Sequence, residues 1–65
     1  MTWEYRVMVR NGEYAIYEVY FRDDGTVEGY SAAPVFPQGE DLEDLKDETL
    51  RYTAAFEKPV LVYED

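Results

Sequence analysis

Six carboxylates and one lysine crowd into nine consecutive positions: Glu40, Asp41, Glu43, Asp44, Lys46, Asp47 and Glu48. Such a run can attract a cationic surface, hold a metal, or simply serve as the solvated face of a helix. Its density points to the first. At 1.5 Å per helical residue the run is about 13 Å long, or roughly one acid per 2 Å. Duplex DNA carries one charge per about 1.7 Å, so a basic groove built for a phosphate backbone would meet a similar field. First-turn acids also favour the helix dipole, which gives the same residues a purely structural use. Asp23 and Asp24 would extend the anionic stripe if their turn lies near the start of the helix.

Other chemistry is poorly provided for. The chain has no histidine and no cysteine, so the usual general base, thiolate nucleophile and soft metal ligands are missing. Ser31 is the only serine and has no base near it in sequence. Lys46 and Lys58 lie among carboxylates, which keep a lysine protonated. No glycine-rich phosphate loop is present. "DDGTVE", Asp23 to Glu28, departs from calcium-loop spacing and fits a hairpin turn. The reading is a protein that is not an enzyme, with no cofactor and no metal.

Net charge is −9, and it is local. Residues 1–39 carry six acids against three arginines, 40–48 six acids against one lysine, and 49–65 three acids against two basic residues. A surface of this sign repels nucleic acid and anionic lipid and attracts basic proteins. Direct nucleic-acid or membrane binding is therefore not expected. No stretch approaches the roughly 20 apolar residues of a membrane helix, and the N-terminus lacks the layout of a signal peptide. The expectation is a soluble cytoplasmic protein, acting in the host cytoplasm if phage-encoded.

The elements that must position the acids follow from periodicity. "TWEYRVMVR" alternates, with Trp3, Tyr5, Val7 and Val9 on one face and Glu4, Arg6, Met8 and Arg10 on the other. Asn11-Gly12 predicts a type I′ turn into a second strand, 13–21. That turn pairs Val9 with Tyr14, Val7 with Ile16, Tyr5 with Glu18 and Trp3 with Tyr20. A second turn at Asp23-Asp24-Gly25 leads to a third strand, 26–31; if it is a three-residue loop with a bulge, Phe21 faces Val27, Tyr20 faces Glu28 and Glu18 faces Tyr30, but the register of this hairpin stays open. Glu18, mid-strand on the core-facing side, is expected to hydrogen-bond Tyr5 or Tyr30. Pro34 and Pro37 make the next segment an extended connector, with Val35 and Phe36 tucked beneath it.

Asp41 is a good N-cap, with Asp44 three residues on. Leu42, Leu45, Thr49, Tyr52 and Phe56 repeat at helical spacing, predicting an amphipathic helix over 42–57 that ends at Lys58-Pro59. Glu43, Asp44, Asp47 and Glu48 should then face outward. "VLVY", 60–63, is a fourth strand or a docked tail. The expected fold is α+β in a single domain, 1–65. A three-stranded antiparallel meander is followed by one amphipathic helix on the face carrying Trp3, Tyr5, Val7, Val9, Ile16 and Tyr20. The opposite face, with Met8, Ala15, Tyr17, Val19, Phe21 and Val27, is also apolar. It is either covered by arginine stems and the C-terminal residues or free to form an interface.

"W-x-Y-R-V", "Y-A-I-Y-E-V-Y-F", "D-G", "G-Y" and "K-P-V-L-V-Y" together resemble a group of small bacterial and phage proteins, over most of the chain. These motifs are structural and imply a βββα fold without chemistry. In size, charge and lack of catalytic groups the chain also resembles phage-borne anti-CRISPR and anti-restriction inhibitors that imitate DNA. The functional expectation is an acidic inhibitor that docks Glu40, Asp41, Glu43, Asp44, Asp47 and Glu48, with Asp23 and Asp24, on a basic nucleic-acid-binding protein or complex. The alternative is a small bacterial domain of regulatory role that dimerises through its second sheet face. Monomer and homodimer both remain open.

Overall fold

The computed structural model describes residues 1–65. Its elements are β1 (Thr2–Arg10), β2 (Glu13–Phe21), β3 (Val27–Tyr30), α1 (Leu42–Thr53), a 3-10 turn (Ala54–Glu57) and β4 (Leu61–Val62). The sheet order is β3-β2-β1-β4. The meander is antiparallel, and β4 adds to the outer edge of β1 in parallel, pairing Leu61 with Met8 and Val62 with Val9.

The first hairpin forms in the register that its turn dictates. Asn11 (φ 52°) and Gly12 (φ 80°) supply the two left-handed residues a type I′ turn needs, and all four expected pairs are present. The second hairpin closes around Asp23–Gly25, with Arg22 N–H donating to Thr26 O and Gly25 (φ 88°) donating to Arg22 O. Phe21 faces Val27 as expected, but Glu28 has no partner and forms a bulge. Beyond it the register moves by one, so Tyr20 faces Gly29 and Val19 faces Tyr30. The shift puts Tyr30 on the same side of the sheet as Val19 and Tyr17.

That side holds the core. Met8, Tyr17 and Val19 are buried together, with Ala15, Phe21, Tyr30, Leu61 and Tyr63 packed around them. The tail closes this side. The Tyr63 ring lies 5.2 Å from Tyr17 and 4.6 Å from Tyr30, and the Arg10 guanidinium sits 4.1 Å over it. Tyr30 Oη donates to Glu64 O and accepts from Glu64 N–H, at 2.7 and 2.8 Å. The two edge strands are thus tied across the core by one tyrosine. Arg6, buried, donates to Pro59 O at 2.7 Å and pairs with Glu4, and Lys58 pairs with Glu4 from the other side. These contacts turn the chain from the helix around the β1 edge into β4.

Of the two outcomes expected for the second sheet face, coverage by C-terminal residues is the one seen, with Leu61 and Tyr63 packed on it. The helix lies on the opposite side, where Tyr5 stacks on Tyr52 with ring centroids 4.0 Å apart. Only Val7, Tyr52 and Ala55 are buried there. The buried cluster of Met8, Tyr17 and Val19 is on the side opposite to the one the helix crosses, contrary to expectation, because Leu61 of β4 and Tyr63 just beyond it cover that side. Phe36, expected to tuck under the connector, and Phe56, expected in the helix's buried stripe, both stand in solvent.

Candidate functional site

Helix α1 begins where its sequence says it should. Asp41 caps it, accepting from Asp44 N–H at 2.8 Å, and the Asp44 carboxylate reaches back to accept from Glu40 N–H at 3.0 Å. The pair resembles a capping box, but the N3 carboxylate bonds the N–H of the residue before the N-cap rather than that of the N-cap itself. Gly39 is needed just before it, because an added Cβ would run into the Leu45 backbone. Two of the six clustered acids thus hold the helix end while remaining exposed.

The roll of the helix differs from the expected one. The line that meets the sheet runs through Glu48, Tyr52 and Ala55, not through Leu42, Leu45 and Thr49. Glu48 accepts a 2.9 Å hydrogen bond from Tyr5 Oη and is paired with Arg51 at 3.5 Å, so it does not belong to the outward face. The cause is local. Tyr5 offers both an aromatic face to Tyr52 and a hydroxyl to Glu48, one turn earlier, and the two contacts together fix the rotation. Burial, followed by the neighbouring Tyr52 and Glu48, raises the Tyr5 pKa above that of an ordinary phenol, so Tyr5 is a neutral donor.

Rolling Glu48 inward turns leucines outward. Leu42 and Leu50 are 65% and 68% exposed, and Leu45 is also exposed. Glu43 and Asp47, one turn apart, lie beside Leu50 on the outward face. Glu43 shares a 3.6 Å contact with Lys46, while Asp47 has no ion-pair or hydrogen-bond partner. Glu40, Asp41, Glu43, Asp44 and Asp47 are all exposed. The face is a mixture of carboxylates and leucines. Sequence reasoning missed the leucine component, because spacing alone assigned Leu42 and Leu45 to the interior.

In the 23–25 turn, Asp23 pairs with the N-terminal ammonium at 3.0 Å. Asp24 accepts from the Thr26 backbone N–H and hydroxyl at 2.9 and 2.7 Å, bonds that lower its pKa. Both carboxylates are thus engaged locally, and neither makes a hydrogen bond or ion pair with a helix residue. Glu18 does bond a tyrosine, but it is Tyr20, whose hydroxyl donates at 2.8 Å. Tyr5 is occupied by Glu48 and Tyr30 by Glu64.

No three acidic side chains converge closely enough to hold a metal ion. No helix is long and apolar enough to cross a membrane. Comparison with protein-family models, with curated proteins and with solved structures finds no match to the chain.

Proposed function

We propose that the chain is a non-enzymatic, acidic protein-binding module whose helix α1 docks on a basic, nucleic-acid-binding surface of a partner and blocks it, in the manner of a DNA mimic. One observation carries the reading: five exposed carboxylates gather at the start of one capped helix, Glu40 just before it, Asp41 at its cap and Glu43, Asp44 and Asp47 within it, together with exposed leucines. The carboxylates give long-range attraction and orientation, and the leucines give short-range burial that free phosphate backbones lack. Each fully buried leucine contributes about 1.5–3 kcal/mol, so two of them would set affinity while the charges set on-rate and salt dependence.

Glu43 and Asp47 are the proper probes, since Asp41 and Asp44 also hold the helix end. The double variant Glu43→Lys/Asp47→Lys should keep the wild-type melting temperature within a few degrees. Capture from a bacterial lysate at low salt, with the bound protein identified, should yield a basic nucleic-acid-binding protein that added duplex DNA displaces. The double variant should lose that capture. Capture that survives the reversal, or that DNA does not displace, contradicts the reading.

A further inference from the structure

Arg22 is the one basic side chain of six that makes no ion pair, on a chain with fifteen acids. Asp23 and Asp24 follow it directly, yet it turns away from both. Its Nη1 donates to Thr26 Oγ1 at 3.3 Å and to Val27 O at 2.8 Å, two neutral acceptors. Its charge is left uncompensated, and its Nη2 and Nε are left without partners. Arg22 shares a cleft of about 330 Å³ with Arg6, at the start of β1 and the end of β2. Arg6 is only 8% exposed. It donates through Nη1 to Glu4 and through Nη2 to Pro59 O, but its buried Nε donates to nothing. Buried donors are almost always paired, so an orphaned one calls for a reason.

The carboxylates of the cleft do not supply the missing partner, because each is already engaged. Glu4 lies between Lys58 at 2.6 Å and Arg6 at 3.2 Å. Asp23 meets the N-terminal ammonium at 3.0 Å. Asp24, next in the turn, is held by Thr26 and does not line the cleft. Four cationic groups therefore stand against two carboxylates, the reverse of the chain's net charge of −9. Phe21 is the only apolar residue of the lining, so the cleft is not a gap in the core.

These features select among occupants. An apolar ligand would leave Arg22 uncompensated and the Arg6 Nε unpaired. A metal cation would meet an excess of positive charge. We infer that the cleft binds a small oxyanion, a phosphate group or a carboxylate, between Arg22 and the unfilled donors of Arg6, with the Thr2 hydroxyl at its rim as a further donor. A guanidinium presents five N–H donors in a fixed plane, and one edge of it matches two oxygens of such a group. Two bonds from each arginine are used internally, which leaves three N–H groups on each. No residue of α1 lines the cleft, and its sign is opposite to that of the α1 face, so the inference is independent of how α1 is used.

NMR of the isotopically labelled full chain tests it. Phosphate and acetate are titrated separately near neutral pH, with chloride holding the ionic strength constant so that screening does not change. The expected result is a saturable shift, in the millimolar range, at the Arg6 Nε–H and at the backbone amides from Phe21 to Gly25, with the amides of α1 unmoved. Saturation at lower phosphate than acetate assigns the site to a phosphate group, and the reverse order assigns it to a carboxylate. Arg22→Gln, at an exposed position, should weaken binding roughly tenfold through loss of the charge-assisted contact and leave the melting temperature within a few degrees. Arg6 also anchors Pro59 and is left in place. Should Arg22→Gln disturb the turn, Thr2→Val decides the matter, with binding expected to weaken several-fold. Shifts that never saturate with either anion overturn the inference. So does binding that keeps its affinity in Arg22→Gln and Thr2→Val, or a saturable response centred on Lys46 or Arg51 instead.

Discussion

The two sides of the same four-stranded sheet are closed in opposite ways. On one side a tail of a few residues does the sealing: Leu61 and Tyr63 cap Met8, Tyr17 and Val19, and Tyr30 ties the edge strands together through Glu64. On the other side a 12-residue helix and the 3-10 turn that follows it cross the sheet but rest on a single line, Glu48 and Tyr52 in the helix and Ala55 in the turn, and leave leucines and phenylalanines in solvent. Each side buries three apolar residues, although one is closed by a helix and the other by a short tail. A helix held by one aromatic stack, two side-chain hydrogen bonds and its cap keeps most of its surface available. That is what a binding element requires, provided the stability comes from elsewhere.

The largest expected effect tests that division directly. Tyr63→Ala should cost about 2–3 kcal/mol, the low end for deleting a partly buried aromatic ring. In a domain of this size that lowers Tm by roughly 8–20 °C. Phe56→Ala, at an exposed position, should stay within about 0.5 kcal/mol of wild type. Equal losses in the two variants would break the contrast between the sides.

Next comes the contact that sets the helix roll. Tyr5→Phe should cost about 1 kcal/mol, a charge-assisted hydrogen bond discounted for partial exposure. The pH dependence has a definite sign. The folded Tyr5 pKa lies above its ordinary value of 10.0, so the stabilisation is complete below about pH 10 and is lost as pH rises beyond it. Thermal melts between pH 8 and 11 should therefore fall less steeply for Tyr5→Phe than for wild type. The slope should not vanish, because Glu18 raises the Tyr20 pKa in the same direction.

Glu4 gives a smaller effect at the opposite end of the scale. Lys58, helped by Arg6, holds its pKa below the ordinary 4.5. Its contribution is present above that value and lost as pH falls through the lowered one. Glu4→Gln should cost about 0.5–1 kcal/mol at pH 7 and flatten the acid limb of the melting profile between about pH 5 and 3. Smallest of all, Leu50→Ser should leave stability within about 0.5 kcal/mol of wild type while weakening capture of the partner. A large loss of stability in Leu50→Ser would place that leucine in the fold and remove it from the docking face.

Much of this architecture is legible in the residues. Alternation and Asn11-Gly12 define the first hairpin to the register, and Asp41 with Asp44 defines the helix start. Three features are not legible, each for a physical reason. The Glu28 bulge depends on how the β3 edge packs, and a strand of four residues carries too short a pattern to reveal it. The choice of core side depends on β4, two residues long and paired with a strand some 50 positions away, which no local periodicity encodes. The helix roll depends on a competition between the expected stripe, Leu42–Leu45–Thr49–Tyr52–Phe56, and the line Glu48–Tyr52–Ala55, which share only Tyr52, buried as expected. Hydrophobicity favours the first, and a tyrosine hydroxyl on the facing strand decides for the second. The acidic site was visible as composition, but its membership was not. Glu48 turns inward to Tyr5, Asp23 and Asp24 are held by the N-terminal ammonium and Thr26, and exposed leucines stand among the helix acids.

The central claim is that the outward carboxylates of α1 stand in for a phosphate backbone. The most direct test is the salt dependence of binding between the purified chain and its captured partner, measured alongside binding of duplex DNA to the same partner. The account predicts mutually exclusive binding, a log-affinity that falls linearly with log salt, and a shallower slope when Glu43 and Asp47 are neutralised as Glu43→Gln/Asp47→Asn. Binding that is indifferent to salt, or a ternary complex in which DNA and the chain occupy the partner together, would contradict it.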